Sequence, residues 1–263
     1  MPDPRWLPRL RQAVVVTTKL APLVAALRDH LARWVSVPEP FHDQGVDHFG
    51  LSNAVLAVGD SFLEILAPVR PDTAAGRHLQ RRGGDAGYMV MLQVADMAAT
   101  RQRLADLAVR VVWETERPDA VDLHLHPHDV PGALVAVDTM DPPYSWRWGG
   151  PAFAGSAADP AQVAPAVGGL AGLTLGVPDP TAAARRWAAV TGQPEPAGAS
   201  VELAGGHQRV DFVAENSAGP GLLTIRFALP GVPERADDFT VGSTSIEIHP
   251  LAAGPAGEET VHG

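Results

Sequence analysis

An internal repeat is the feature that most limits the folds open to this chain. Its first copy is a β-branched run, QAVVVTT, followed by a segment with apolar residues at helical spacing and by two short apolar runs, LSNAVLAVG and FLEILAPV. Such runs predict strands, and the helical spacing of the apolar residues in the segment between them predicts an amphipathic helix. The same order recurs from Gly87 and again after a stretch rich in Pro, Ala and Gly at 149–168. A fourth copy is partial, because LLTIRFAL and TSIEIHP follow each other without a helical segment.

The repeat predicts an α+β fold made of βαβββ units. One four-stranded unit leaves an apolar face exposed until a neighbour covers it, so we expect the units to pair. The predicted architecture is therefore paired, curved, mixed β-sheets with helices outside and a truncated fourth unit. We predict a domain of two units at 1–150, a linker at 151–164, a second, degenerate domain at 165–250 and a flexible tail at 251–263.

Charge and cysteine content exclude several classes of protein. With 30 acidic and 20 basic side chains, the chain carries a formal charge of −10, which disfavours binding to nucleic acid. The absence of cysteine excludes disulfides, thiolate nucleophiles and Cys-ligated metals. Prolines and charges stand where a signal peptide would be apolar, and no 18-residue apolar run occurs. We therefore expect no membrane partner and a cytoplasmic location.

Two phrases, FLEILAPV and RRGGDAGYMVMLQVAD, together with the order of the elements, resemble the vicinal-oxygen-chelate superfamily. That superfamily includes glyoxalase I, extradiol dioxygenases, methylmalonyl-CoA epimerase and bleomycin-resistance proteins. The segments FGLSNAVLAVGDSFLEILAPV, HLHPHDVPGALVAVD and PPYSWRWGGP are similar to a glyoxalase-like branch of it. The resemblance implies a fold more strongly than a reaction, because one fold hosts many chemistries.

In the superfamily, metal ligands lie on the first and last strands of paired units and face the cavity of a U-shaped sheet. The resemblance assigns Glu64 to one of these positions. The corresponding first-strand positions hold Gln12 or Ala13 in unit one and Tyr88 or Met89 in unit two, and Ala136 takes the second acidic position. One of four expected ligands is thus in place. The sequence therefore leaves two alternatives for the cofactor, namely a divalent metal or none.

The segment VDLHLHP offers another arrangement. Residues two apart in a strand project to the same face, which would place His124 and His126 side by side. With Glu64 they would form a set of two imidazoles and one carboxylate that suits Fe(II), Mn(II) or Zn(II). Without a metal, Glu64 and His124 are candidates for proton transfer beside a carbonyl. The structural alternative is that the histidines lie on an outer face.

Five further side chains are candidates for substrate binding. The amides Asn53 and Gln93 stand in otherwise apolar strands, where they contact either a ligand or the neighbouring backbone. Arginine forks bind carboxylate or phosphate, which makes Arg77 and Arg81 candidates for an acidic substrate. The favoured alternative is a solvated turn in which these arginines pair with Asp72 or Asp85. Tyr88, at a first-strand position, completes the predicted set.

Two functions are compatible with these features. The first is a glyoxalase-like enzyme, a lyase, isomerase or dioxygenase, that acts on a small organic molecule between units one and two. The second is a non-catalytic binding or sequestering protein of the same fold that has lost the metal. A third, structural interpretation makes the third and fourth units a lid or a surface for homodimer formation.

Overall fold

The computed structural model describes residues 7–143, 145–149, 168–217, 219–234 and 236–251. Two mixed β-sheets make up most of this part of the chain. The first has seven strands, in the spatial order β2-β3-β1-β4-β7-β6-β5. In chain order they are β1 (Arg9–Val16), β2 (Leu51–Val58), β3 (Ser61–Pro68), β4 (Ala86–Gln93), β5 (Val111–Arg117), β6 (Ala120–Leu125) and β7 (Leu134–Met140).

The second sheet has six strands, in the order β12-β13-β11-β8-β10-β9. In chain order they are β8 (Gly169–Val177), β9 (Ser200–Leu203), β10 (Gln208–Ala214), β11 (Gly221–Leu229), β12 (Phe239–Val241) and β13 (Thr244–Pro250).

Four α-helices join the strands: α1 (Leu20–Leu31), α2 (Ala74–Arg82), α3 (Met97–Asp106) and α4 (Pro180–Thr191). Their starts follow from local sequence. The side chains of Thr73, Asp96 and Asp179 accept hydrogen bonds from the first-turn backbone of α2, α3 and α4. Short 3₁₀ helices cover Gln44–Phe49, Trp146–Gly149 and Ala204–Gly206.

Each sheet is built from two units joined through their first strands. β1 pairs antiparallel with β4, and β8 pairs antiparallel with β11. The first strand of each unit also pairs in parallel with its last, as in β1 with β3 and β4 with β7. The predicted fold class, paired mixed sheets with helices outside and a helix-free fourth unit in the described residues, is confirmed.

The units differ in strand number. Unit two has three strands after its helix, whereas units one and three have two within the described residues. In unit one an isolated antiparallel bridge between Phe41 and Val55 lies beside β2, where a third strand would pair. The chain before β2 therefore runs as a loop, and this loop contributes to the site described below.

The two faces of the first sheet have different partners. Ala13, Val15, Leu63 and Ile65 belong to a large core shared with α1, α4 and the second sheet. On the opposite face Val14, Val16, Leu66 and Met89 form a smaller cluster. Because alternate residues of a strand face opposite ways, one face secures the fold and the other is left for a cavity. The division into two domains stays a prediction, and the predicted linker and residues 252–263 lie outside the described residues.

The second sheet approaches the first very closely at β4. A Cβ added at Gly87 would lie 2.7 Å from the Cβ of Leu222 on β11, so only glycine allows this distance. The amide of Gly87 donates to Thr244 Oγ1 at 2.6 Å. The second half of the chain therefore packs directly against the start of β4, the central strand of the first sheet. Within the described residues, no helix has the length and apolar character needed to span a membrane.

Candidate functional site

A cavity of about 1700 Å³ lies on the second face of the first sheet. Its volume exceeds the roughly 300–1,000 Å³ of common small-molecule sites. Strands β1 to β7, the loop before β2, helix α2 and the start of β11 all contribute to its lining. Its apolar wall includes Phe41, Phe49, Leu66, Met89, Met91 and Trp113.

Glu64 is the acidic group most deeply set in this wall. It lies on β3, is 7% exposed, and lines the cavity. Its two carboxyl oxygens accept hydrogen bonds from two amides: Asn53 Nδ2 donates to Oε1 at 2.6 Å, and Gln12 Nε2 donates to Oε2 at 2.7 Å. The carboxyl group is therefore held from both sides in one orientation.

The amides are themselves held by other donors. Asn53 Oδ1 accepts the backbone N–H of Asp43 at 2.9 Å and lies 3.0 Å from Nδ1 of His42. Gln12 Oε1 accepts the indole Nε1–H of Trp148 at 3.0 Å. Because donors occupy both amide oxygens, the amino groups are left to face Glu64.

The environment of Glu64 sets its protonation. Burial raises the pKa of Glu64 to about 7, although the hydrogen bonds from Asn53 and Gln12 act in the opposite direction. The negative charge of Asp43 also raises this pKa, and the charge of His124 lowers it. Glu64 can therefore both accept and release a proton near neutral pH.

His124 lies on another wall of the cavity, on β6. Its ring contacts Trp113, with ring centroids 4.6 Å apart, and Trp113 contacts Phe49 at 5.4 Å. Its Nε2 lies 3.5 Å from Oδ1 of Asp122, two residues earlier on the same strand face. In the sheet, β1, β4 and β7 separate β3 from β6, yet Glu64 and His124 line the same cavity. The sheet therefore curls so that these walls approach each other.

The end of the cavity near α2 carries cationic and aromatic groups. Tyr88 sits at an irregularity in the pairing of β1 with β4 and contacts His78, with ring centroids 5.1 Å apart. Arg81 lines the same region. Burial lowers the pKa of His78 to about 4, so this ring is neutral near pH 7. Burial also raises the pKa of Tyr88.

The structure brings five of the eight predicted site residues to the cavity: Asn53, Glu64, Arg81, Tyr88 and His124. Three others lie elsewhere. Gln93 is buried, where it accepts from Arg9 Nε at 2.9 Å and donates to the carbonyl oxygen of Pro143 at 2.6 Å. Arg77 lies on helix α2 rather than on a turn, and it donates to the carbonyl oxygen of Asp72 at 2.7 Å.

His126 is the third residue that does not reach the cavity. Strand β6 ends at Leu125, just before His126 and Pro127, so the alternation that holds for Asp122 and His124 does not extend to His126. Its Nδ1 instead lies 3.0 Å from Nη2 of Arg110 and accepts the backbone N–H of His128 at 3.2 Å.

The donor set does not fit the metal site implied by the superfamily. Of the positions that the resemblance assigns to ligands, Gln12 donates its amide to Glu64, the first strand of unit two has Tyr88 and Met89 instead of a histidine, and Ala136 has no ligating side-chain atom. The oxygens of Glu64 already accept two N–H donors. Within the described residues, no group of three His, Asp or Glu side chains is placed to hold a metal ion. These residues therefore do not form the metal site of the superfamily.

Four contributors to the site were not identified from the sequence: the orienting donors Asp43 and Trp148, the partner His42, and Asp122. The one sequence signal was at Asp122, because the spacing that pointed to His124 and His126 applies equally to Asp122 and His124. Trp148 is 136 residues from Gln12, and Asp43 donates through its backbone N–H, so no side-chain pattern in the sequence indicates either contact.

The chain was compared with family models, curated proteins and solved structures. A family model described as a glyoxalase-like domain matches residues 13–191. No curated protein matches the chain. Among solved structures, methylmalonyl-CoA epimerase from Mycobacterium tuberculosis is 21% identical over 50% of this chain and 87% of its own, with a TM-score of 0.43. A variant of the Streptomyces coelicolor methylmalonyl-CoA epimerase is 25% identical over 53% and 99%, with a TM-score of 0.44.

A broader structural match is a variant of 4-hydroxymandelate synthase from Streptomyces coelicolor. It covers 85% of this chain and 71% of its own length, with a TM-score of 0.63 and 16% identity. At that identity the match shows a shared fold, which is the fold of the vicinal-oxygen-chelate superfamily. Since the family model also covers more than half of the 263 residues, the chain belongs to the glyoxalase-like domain family.

Proposed function

We propose that this protein is an enzyme that transfers a proton at a carbon next to a carbonyl group in a small organic molecule, with Glu64 as the base. One observation carries the proposal: a buried carboxyl with a pKa of about 7 faces a large cavity and is held by two oriented amides. A base of this pKa is well matched to removing a proton near neutral pH.

The chemistry follows from the two facing walls. Glu64 takes the proton of the C–H bond, and the electron pair of that bond moves to the carbonyl oxygen to give an enolate. His124, which lines the same cavity, is the proposed proton carrier for that oxygen. Return of the proton from Glu64 to the same or a neighbouring carbon gives an epimer or an isomer. The amides of Asn53 and Gln12 keep the carboxyl oriented throughout.

The cavity walls suggest what the substrate carries. The apolar wall formed by Met89, Met91 and Trp113 suits a hydrocarbon or aromatic portion. Arg81, with Tyr88 beside it, suits a carboxylate or phosphate at the other end of the molecule. A cytoplasmic location, the absence of nucleic-acid binding and a homodimer remain predictions.

Exchange of carbon-bound protons with D₂O tests the proposal without knowledge of the full substrate. The probes are 2-oxo acids, 2-hydroxy ketones and short acyl thioesters, and loss of the α-proton signal is followed by ¹H NMR. We expect the protein to accelerate exchange of at least one class and Glu64→Gln to lower that rate by about 10²- to 10⁴-fold. Glu215→Gln, at an exposed residue that follows β10, is the matched control and should keep the full rate.

A binding protein of the same fold is the second candidate. Both the cavity volume and the loss of superfamily ligand positions at Gln12 and Ala136 favour it. A bound probe would stabilise such a protein against heat, but the protein would not accelerate exchange of the probe's carbon-bound protons. Equal stabilisation of the wild type and Glu64→Gln, with no exchange in either, would establish binding and overturn catalysis.

A further inference from the structure

Two aspartates form a buried pair behind His124. Asp122 on β6 and Asp138 on β7 are directly paired across the two strands, so their side chains share one face of the sheet. Asp138 is 4% exposed, and neither of its carboxyl oxygens has a hydrogen-bond partner among the described residues when counted as an acceptor. The same is true of Oδ1 of Asp122.

Two adjacent carboxylates cannot both be ionised in such a place at low cost. As carboxylates both would be acceptors only, so neither could donate to the other. A single proton on Asp138 removes the repulsion and supplies the missing donor. Burial, followed by the charge of Asp122, raises the pKa of Asp138 well above its usual range. Burial also pushes the pKa of Asp122 upward, but its interactions with His124 and Asp138 and the charge of Arg117 outweigh burial and leave that pKa lowered.

The other groups around the pair are consistent with one retained negative charge. The positive charge of Arg117, at the end of β5, lowers the pKa of both aspartates. Thr115 on β5 is paired with Asp122, and Gln93 on β4 is paired with Asp138. The side chain of Gln93 is engaged with Arg9 and Pro143. The nearest paired positions on the adjoining strands, Thr115 and Gln93, therefore add no third acidic group to the pair.

We propose that Asp122 and Asp138 share one proton and that the resulting singly charged pair positions His124, fixing a hydrogen on Nε2 and leaving Nδ1 as the working nitrogen. The geometry supports this assignment, because Nε2 of His124 lies 3.5 Å from Oδ1 of Asp122, an oxygen that otherwise has no hydrogen-bond partner in the described part of the chain. A carboxylate beside one imidazole nitrogen selects the tautomer protonated there.

The inference rests on the proposed function only for what Nδ1 does. There, Nδ1 of the neutral ring accepts the proton of a substrate hydroxyl beside the carbonyl, as in a 2-hydroxy ketone, and then delivers that proton to the enolate oxygen. The carboxylate of Asp122 stabilises the imidazolium that exists between the two transfers. The proton on Asp138 stays in place, so the pair keeps a charge of −1 at every step. Asp122 and Asp138 are positioning residues, since neither needs to touch the substrate.

Spectroscopy on the full, ligand-free chain tests the pair independently of catalysis. Infrared difference spectra of the wild type against Asp138→Asn, at neutral pH, should show the carbonyl band of one protonated carboxylic acid that the variant loses. Asp119→Asn, at the turn between β5 and β6, is the matched control and should keep the band. Glu64 contributes equally to all three proteins and cancels in the difference.

Ring ¹⁵N shifts of the histidines give the second readout. The signals of His124 are those missing in His124→Gln. We expect the Nε2–H tautomer in the wild type and in Asp138→Asn, whose amide still donates to Asp122, and loss of that tautomer in Asp122→Asn. A wild type without the acid band, or with His124 protonated on Nδ1 alone, would overturn the proposal even if Asp122→Asn failed to fold. Failure of the exchange experiment would leave both spectra unchanged.

Discussion

A buried carboxyl group close to half-protonation at neutral pH affects stability as well as chemistry. The carboxyl group of Glu64 is 7% exposed, and within the described part of the chain its hydrogen-bond donors are two neutral amides and no cation is paired with it. Neutral donors stabilise a carboxylate less than a guanidinium would, so burial dominates. The sequence predicted the position of this group through its resemblance to a superfamily strand. Its two-sided support was not predictable, because the contribution of Gln12 depends on Trp148, 136 residues away.

The raised pKa of Glu64 predicts a pH-dependent cost that Glu64→Gln removes. Below its ordinary pKa of 4.5 the group is protonated in both the folded and the unfolded chain, and above about 7 it is ionised in both. Folded-state stability therefore falls as pH rises through this window, by about 3 kcal/mol from this group alone. Urea unfolding at several pH values should show the difference in unfolding free energy, variant minus wild type, rising by that amount. A difference independent of pH would contradict the raised pKa.

Strand β6 shows how far an alternating pattern can be trusted. The rule that residues two apart share a face is valid for Asp122 and His124, which lie within the strand, and fails at His126, which lies beyond its end. The proline at 127 was the available signal, since it restricts the residue before it. Gln93 shows a different limit. Its strand assignment was correct, but its amide is used by Arg9 and Pro143, and distant contacts of this kind are not visible in one sequence.

Because β6 ends between His124 and His126, substitutions of these two histidines are expected to have different effects on the exchange rate. His124→Ala removes a cavity side chain and should lower proton exchange of a responsive probe by about 10²-fold or more. His126→Ala loses contacts with Arg110 and the backbone of His128 and should leave the rate within about twofold. The comparison uses the same probe and the same NMR assay for both variants. An equal loss in His126→Ala would return that residue to the site.

At the scale of the whole molecule, the two sheets depend on each other at the end of the cavity. Residues Pro220, Gly221 and Leu222 line the cavity although they belong to the second half of the chain. Arg82 on α2 donates to the carbonyl oxygens of Gly219 and Pro220 at 2.9 and 3.1 Å and secures the same junction. The repeat predicted both halves, but it contained no information on how one would pack against the other.

The close approach at Gly87 makes this junction testable. Gly87→Ala places a Cβ 2.7 Å from that of Leu222, and the forced movement should cost about 1–3 kcal/mol in unfolding free energy. Gly198→Ala is the matched control, because nothing lies within 4 Å of its added Cβ, and it should be neutral or slightly stabilising. Thermal and urea unfolding measure both variants. Equal stability of the two would show that the sheets can separate freely at β4.

Because β11 contributes to the cavity, the reacting groups and the residues that shape one end of the cavity come from different halves of the chain. The groups proposed to move protons, Glu64 and His124, are encoded in the first half, whereas Pro220 to Leu222 shape the far end of the cavity from the second half. Substitutions at 220–222 can therefore change which molecules fit without altering the reacting groups. Relatives with the same acid–base pair are expected to diverge in ligand preference through this short segment.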